Sequence, residues 1–135
     1  MLLSTTLFYA ALLTLVLMGL SVRVVFLRRR HHVGIGAGGH PELQRAIRAH
    51  ANFCEYVPLA LLLLVLLEAA AAVPAGVLHV LGLALVAGRI AHAIGLNRSP
   101  GTSAGRFIGT LLTWLMLLAG AFYGLYLSVG RMLLA

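Results

Sequence analysis

The sequence predicts an all-α integral membrane protein, a single four-transmembrane-helix bundle spanning residues 1–135. Three observations carry this expectation. Hydrophobic residues make up 61% of the chain and charged residues only 10%, with a mean hydropathy of +1.03. A soluble domain of this length has no interior large enough to hide that much apolar surface. The apolar residues also fall into four long runs, and the arginines collect in the connections between them. Backbone groups in lipid must find their partners within the segment, so each run is read as a helix.

The first run, Met1 to Val22, carries no charge and reaches about 30 Å as a helix, enough to cross a bilayer. It is not read as a signal peptide, because no basic region precedes it and Arg23 stands where small residues would mark a cleavage site. The first helix is expected over about residues 2–27. The second, over 41–73, opens on Pro41 and Glu42, a proline suited to the first helical position and an acid at the positive dipole end. It therefore begins before its apolar run, Phe53 to Val73. Pro74 and Gly76 punctuate a short turn into the third helix, 77–96, and "NRSPGTSAGR" leads into the fourth, 105–129. Gly105/Gly109 and Gly120/Gly124 form GxxxG pairs that let backbones approach, although such pairs arise readily by chance in a chain with 15 glycines.

Arginine placement sets the expected orientation. The first and third connections, with their adjoining helix ends, hold Arg23, Arg28, Arg29, Arg30, Arg45, Arg48, Arg98 and Arg106; the opposite side holds Arg131. The positive-inside rule puts both large connections in the cytoplasm and both termini outside it. The net charge of +7 does not indicate nucleic acid, since no exposed basic helix or aromatic platform accompanies it. Anionic headgroups and an anionic ligand are the better partners. The histidines and the lone Cys54 show no metal-ligand spacing, so no metal is expected. The glycines of "GIGAGG" fit GxGxxG, but a membrane helix precedes them where a nucleotide fold needs a strand, and a loop is the better reading.

The informative residues are polar groups inside apolar helices. At 100° per residue Arg45, Arg48, Asn52 and Glu55 lie within an arc of about 80° on the second helix, with Tyr56 beside it. Snorkelling to headgroups accounts for Arg45 and His50. Asn52 and Glu55 are too short for that. On the third helix Arg89 and His92 share a face, and Arg89 lies roughly 10 Å inside the helix end. An Arg89–Glu55 ion pair is the simplest expectation for two intramembrane charges. Arg106 opens the fourth helix and shares a face with Thr110 and Thr113, while Arg23 closes the first run. Each helix thus brings an arginine to one leaflet, opposed by Glu55 alone. Such a surplus suits an anionic ligand at that end of the bundle, with lipid headgroups as the rival occupant. A small multidrug exporter would need an acid in its first membrane helix, and Met1 to Val22 has none.

"RAHANFCEYVPLALLLL", then "AGRIAHAIGL", then "GR" opening the fourth helix, resembles the MAPEG family, the membrane-associated proteins of eicosanoid and glutathione metabolism, and looks most like its small bacterial members. The likeness extends to "SVRVVFLRRRHHVGIGAGG" and Glu68; the R-x-x-x-N-x-x-E block is its most specific part. The resemblance implies a homotrimer in a bacterial inner membrane, with glutathione as co-substrate bound between subunits. It implies that Arg48, Asn52 and Glu55 contact glutathione, with Arg89, His92 and Arg23 lining the same pocket. Arg106 matches the arginine that stabilises the thiolate, the catalytic role. The implied activity is conjugation of glutathione to a lipophilic electrophile, or reduction of a lipid hydroperoxide; the alternative is a non-catalytic binder of lipids or fatty acids, which the family also contains. Members related to prostaglandin E synthase carry a tyrosine where this chain has Leu96, an arginine at the position of Ala51 and a hydroxyl residue at that of Phe107.

Overall fold

A computed structural model describes residues 3–98 and 101–134. Four helices follow one another: α1 (Ser4–His31), α2 (Pro41–Ala69), α3 (Ala75–Arg98) and α4 (Ala104–Leu134). There is no strand among the described residues. All four helices are long and apolar enough to cross a membrane. At 1.5 Å per residue the shortest, with 24 residues, spans about 36 Å, against roughly 30 Å of hydrocarbon.

The buried positions recur at three- and four-residue spacing, as helix-on-helix contact requires. On α1 they are Thr6, Tyr9, Leu13, Leu20 and Leu27; on α2 they run from Leu43 through Phe53 and Val57 to Leu67. The outer faces are just as apolar: Leu62, Leu66, Leu83, Leu115, Leu118 and Phe122 are all more than half exposed. In water such a surface would aggregate; lipid tails cover it.

The boundaries depart most from the expected ones at the ends of α1, α2 and α4. Arg28 to His31 continue α1, where cations suit the negative end of the helix dipole. The helix stops at His32, whose left-handed φ of 54° aims N–H groups back at the carbonyls of Arg28 and Arg29. α2 ends at Ala69, short of the expected Val73. The N–H of Ala71 turns back to the carbonyl of Glu68, at a φ of 55°, and Pro74 disfavours helix in the residue before it. α4 runs through Arg131 to Leu134, past the expected Val129.

Between α1 and α2, "GIGAGG" is a loop. Arg28 organises it, donating from Nη1 to the carbonyls of Val33, Gly34 and Gly36 at 3.4, 3.0 and 3.1 Å. Gly36, Gly38 and Gly39 all have positive φ, which only glycine adopts freely. His31 meets Glu42 at 2.7 Å and stacks on His40, fastening the loop to the first turn of α2.

α3 and α4 make the closest contact in the bundle. A Cβ on Gly109 would lie 2.5 Å from the carbonyl oxygen of Gly88, and one on Gly95 would lie 2.6 Å from the amide nitrogen of Arg106. The Gly105/Gly109 pair is therefore a packing surface within the chain, not a chance repeat. At the opposite end of the bundle, α1 has no capping side chain of its own. Glu68 of α2 supplies one, its two carboxylate oxygens accepting the N–H groups of Thr5 and Thr6 at 3.0 and 2.8 Å. Nearby, the Tyr9 hydroxyl donates to the carbonyl of His79 at 3.0 Å.

Three substitutions test this packing by thermal unfolding in detergent. Gly109→Val forces α3 and α4 apart and should cost about 1–3 kcal/mol or more, the range for overpacking a dense contact. Gly19→Ala, inside α1 where an added methyl meets nothing within 4 Å, should not lower stability and should raise it by up to about 1 kcal/mol through helix propensity. Glu68→Ala should cost about 1 kcal/mol, as loss of a helix N-cap does; no change would remove Glu68 from the role of securing α1.

Candidate functional site

The site is built on Arg89, which is 2% exposed in the middle of α3. Its guanidinium is held on three sides. Nε donates to Thr113 Oγ1 at 3.0 Å, Nη1 to Asn52 Oδ1 at 2.7 Å and Nη2 to the carbonyl of Gly109 at 3.3 Å. Thr113 Oγ1 donates its own hydrogen bond to the same Gly109 carbonyl at 2.8 Å. The ring of Tyr56 lies 5.2 Å from the guanidinium carbon, a cation–π contact. Tyr56 is fixed in turn by Trp114, whose Nε1 donates to its hydroxyl at 3.3 Å. The close α3–α4 contact makes this geometry possible: without a side chain at Gly109, its backbone carbonyl reaches Arg89.

The expected Arg89–Glu55 pair is not formed. Three residues separate Asn52 from Glu55, a rotation of about 60° around α2. Asn52 points at α3; Glu55 is carried outward, where its side chain is 52% exposed. There Oε1 lies 3.9 Å from Nη1 of Arg48, itself 55% exposed, and Oε2 accepts from Asn52 Nδ2 at 3.4 Å. Asn52 is the link, taking a hydrogen bond from Arg89 on one side and giving one to Glu55 on the other. Every hydrogen-bond acceptor on Arg89 is neutral.

One turn towards the α3–α4 connection, His92 is 8% exposed and lines a cleft of about 420 Å³. Arg106, Thr110, Ser103 and Thr102 form its polar wall; Phe107, Leu111 and Trp114 form its apolar one. Ser103 precedes α4 and accepts the backbone N–H of Arg106 at 3.4 Å, in the manner of an N-cap. Arg106 therefore sits in the first turn of α4, where its charge adds to the positive end of the helix dipole. Its guanidinium also donates from Nη1 to the carbonyl of Gly101. A cation, a helix N-terminus and an apolar wall around one cleft can stabilise an anion that arrives attached to, or beside, a lipophilic group.

Arg23 does not join this cleft. It lines a separate groove of about 480 Å³ between α1 and α3, with Asn97 and Arg98, and α1 makes no contact with α4. One chain thus brings together Asn52, Arg89, His92 and Arg106, holds Arg48 and Glu55 on an outer face of α2, and sets Arg23 apart. Trp114 escaped sequence reasoning, though its signal was present: it stands eight residues after Arg106 and four after Thr110, on the same face of α4.

The comparisons agree with this architecture. The model of the MAPEG family matches residues 6–126. The inner membrane protein YecN of Escherichia coli (strain K12) is 40% identical over 119 residues, covering 85% of this chain and 88% of YecN. YecN of Escherichia coli O6:H1 matches to the same extent. The matched region runs from the first turn of α1 far into α4 and includes every residue of the site, so this four-helix membrane protein belongs to the MAPEG family.

Proposed function

We propose that the protein is a membrane-bound glutathione-dependent transferase that joins the glutathione thiolate to lipophilic electrophiles. The observation that carries this reading is the unbalanced charge at one end of the bundle. Arg89 is buried among neutral acceptors, Arg106 is raised on a helix N-terminus, and Glu55 is the one carboxylate among them. Glutathione has complementary chemistry, with two carboxylates for the arginines and one ammonium for Glu55. Its thiol titrates near 8.5 when unperturbed, and an adjacent cation favours the thiolate. Arg106 supplies that cation. The thiolate sulfur forms a bond to the electrophilic carbon, which releases its leaving group; in a conjugate addition the electron pair moves instead to the adjacent carbon, which takes up a proton. Phe107, Leu111 and Trp114 offer the lipophilic partner an apolar wall.

The same reading assigns the protein to a homotrimer. Arg48 and Glu55 are half-exposed on a membrane-crossing helix, and lipid tails solvate neither. A second copy covers them and brings its Arg23 to the cleft. By the arginine distribution the Arg-rich end is cytoplasmic and both termini lie outside, in the inner membrane where the name of YecN places that relative. A second reading, a non-catalytic lipid binder, draws on Leu96, which puts an alkyl group where catalytic relatives of prostaglandin E synthase have a phenol.

The purified protein should be stabilised against heat by glutathione and much less by its dimethyl ester, since a ligand of the folded state raises apparent stability. Stabilisation by an amphiphile with no response to glutathione would select the binder. With a reactive electrophile, Arg106→Ala should lower kcat/KM on the order of 10²-fold at preserved folding, the scale for losing one preorganised charge-stabilising donor. Glu55→Gln should act mainly on the KM for glutathione. Wild-type protein inactive in both detergent and liposomes towards several electrophiles would sink the transferase.

A further inference from the structure

At the end of the bundle away from the candidate site, α2 and α4 enclose a wedge of about 550 Å³. The two helices meet at Gly120, where an added Cβ would lie 2.8 Å from Leu63, and stand apart at Gly124, where the nearest atom, on Leu67, would be 3.8 Å away. Towards the helix ends the wedge is walled by Leu67, Ala121, Leu125 and Ser128 and opens at Arg131. The guanidinium of Arg131 bridges the mouth, Nη2 donating to the carbonyl of Ala70 at the end of α2. That bond uses one of five N–H donors. None of the three glutamates serves the rest: Glu42 is engaged by His31, Glu55 by Arg48, and Glu68 by the amides of α1. From Arg131 to Gly120 is eleven residues, roughly 16 Å of helix, which matches half of a hydrocarbon core about 30 Å thick.

We infer that this wedge binds an anionic phospholipid of the adjoining leaflet, with the phosphate on Arg131 and one acyl chain running down to Gly120. Charge and depth together select the occupant. An apolar slot one leaflet deep accepts an acyl chain, and a guanidinium at its mouth, with donors to spare, accepts a phosphate oxygen pair. The small residues Ala121 and Gly124 leave the slot open where larger ones would fill it.

Native mass spectrometry of the detergent-purified protein, mixed with phosphatidylglycerol or with phosphatidylcholine, tests the assignment. Wild type should retain phosphatidylglycerol about tenfold better, the value of one charge-assisted contact. Arg131→Gln should abolish that preference while Arg131→Lys keeps most of it. Gly124→Leu should reduce retention of both lipids by filling the slot. Equal retention of the two lipids by wild type, or an unchanged preference in Arg131→Gln, would overturn the proposal. So would full displacement of the phospholipid by palmitate at equal concentration, which would make the site one for free fatty acids. Spontaneous disulfide formation between copies of a Cys54→Ser, Ser128→Cys variant in liposomes would make the wedge a subunit contact instead and overturn it equally.

Discussion

The burial of one guanidinium governs the rest of this structure. A charge in the interior of a membrane bundle survives only if its donors are satisfied. Arg89 meets that demand with one residue from α2, one side chain from α4 and one α4 carbonyl. Three helices must therefore hold fixed positions relative to one another. The backbone contact of Gly88 with Gly109 follows from this requirement as much as it enables it, because a carbonyl can serve as a ligand to Arg89 only where no side chain keeps the helices apart. Tyr56 and Trp114 extend the same constraint outward to the wall of the cleft.

The two ends of the bundle solve different problems. At the Glu68 end, helix ends are capped within the chain: a carboxylate caps α1, and a guanidinium takes the carbonyl of Ala70 just past α2. At the Arg-rich end cations accumulate. Arg28 is absorbed by loop carbonyls and Arg48 has Glu55, while Arg89 and Arg106 hold only neutral oxygens. A clamp at one end secures α1, and the other end keeps a positive field.

Much of this was legible in the residues, and the exceptions share a cause. Four spans, the polar stripe on α2 and the depth of Arg89 all follow from hydropathy and helical angle, which are local properties. The partner of Arg89 does not follow, because Asn52 and Glu55 differ by only about 60° on the helix and charge favours the wrong one. Which of them faces α3 depends on how α2 is rotated in the bundle, a tertiary fact. Glu68 capping Thr5 and Thr6 across more than sixty residues of sequence is equally invisible to a local pattern. The end of α2 was hidden by composition: Ala69 to Val73 is apolar throughout, and the turn is made by the backbone of Ala71. The GxxxG pair at Gly105/Gly109 carried real information that could not be weighed without knowing the face it packs on.

The choice of Asn52 over Glu55 as the ligand of Arg89 has an electrostatic consequence. A direct carboxylate contact at about 4 Å would be worth roughly 4 kcal/mol at an effective dielectric constant of 20. It would cancel most of the field of Arg89 and fix Glu55 in the process. Asn52 instead satisfies the geometry of the guanidinium while leaving its charge uncompensated, and its amide nitrogen directs Glu55 towards the outer face. Arg89 and Glu55 are thus kept near each other without pairing, and the charge partner of Glu55 is the exposed Arg48 at 3.9 Å. On the proposed function this separation is what a zwitterionic peptide needs, since its carboxylates and its ammonium must each meet a group not already neutralised by the other. The neutral amide of Asn52 keeps Arg89 and Glu55 from neutralising each other, and leaves Glu55 with only the long, exposed contact to Arg48 to exchange for the ligand.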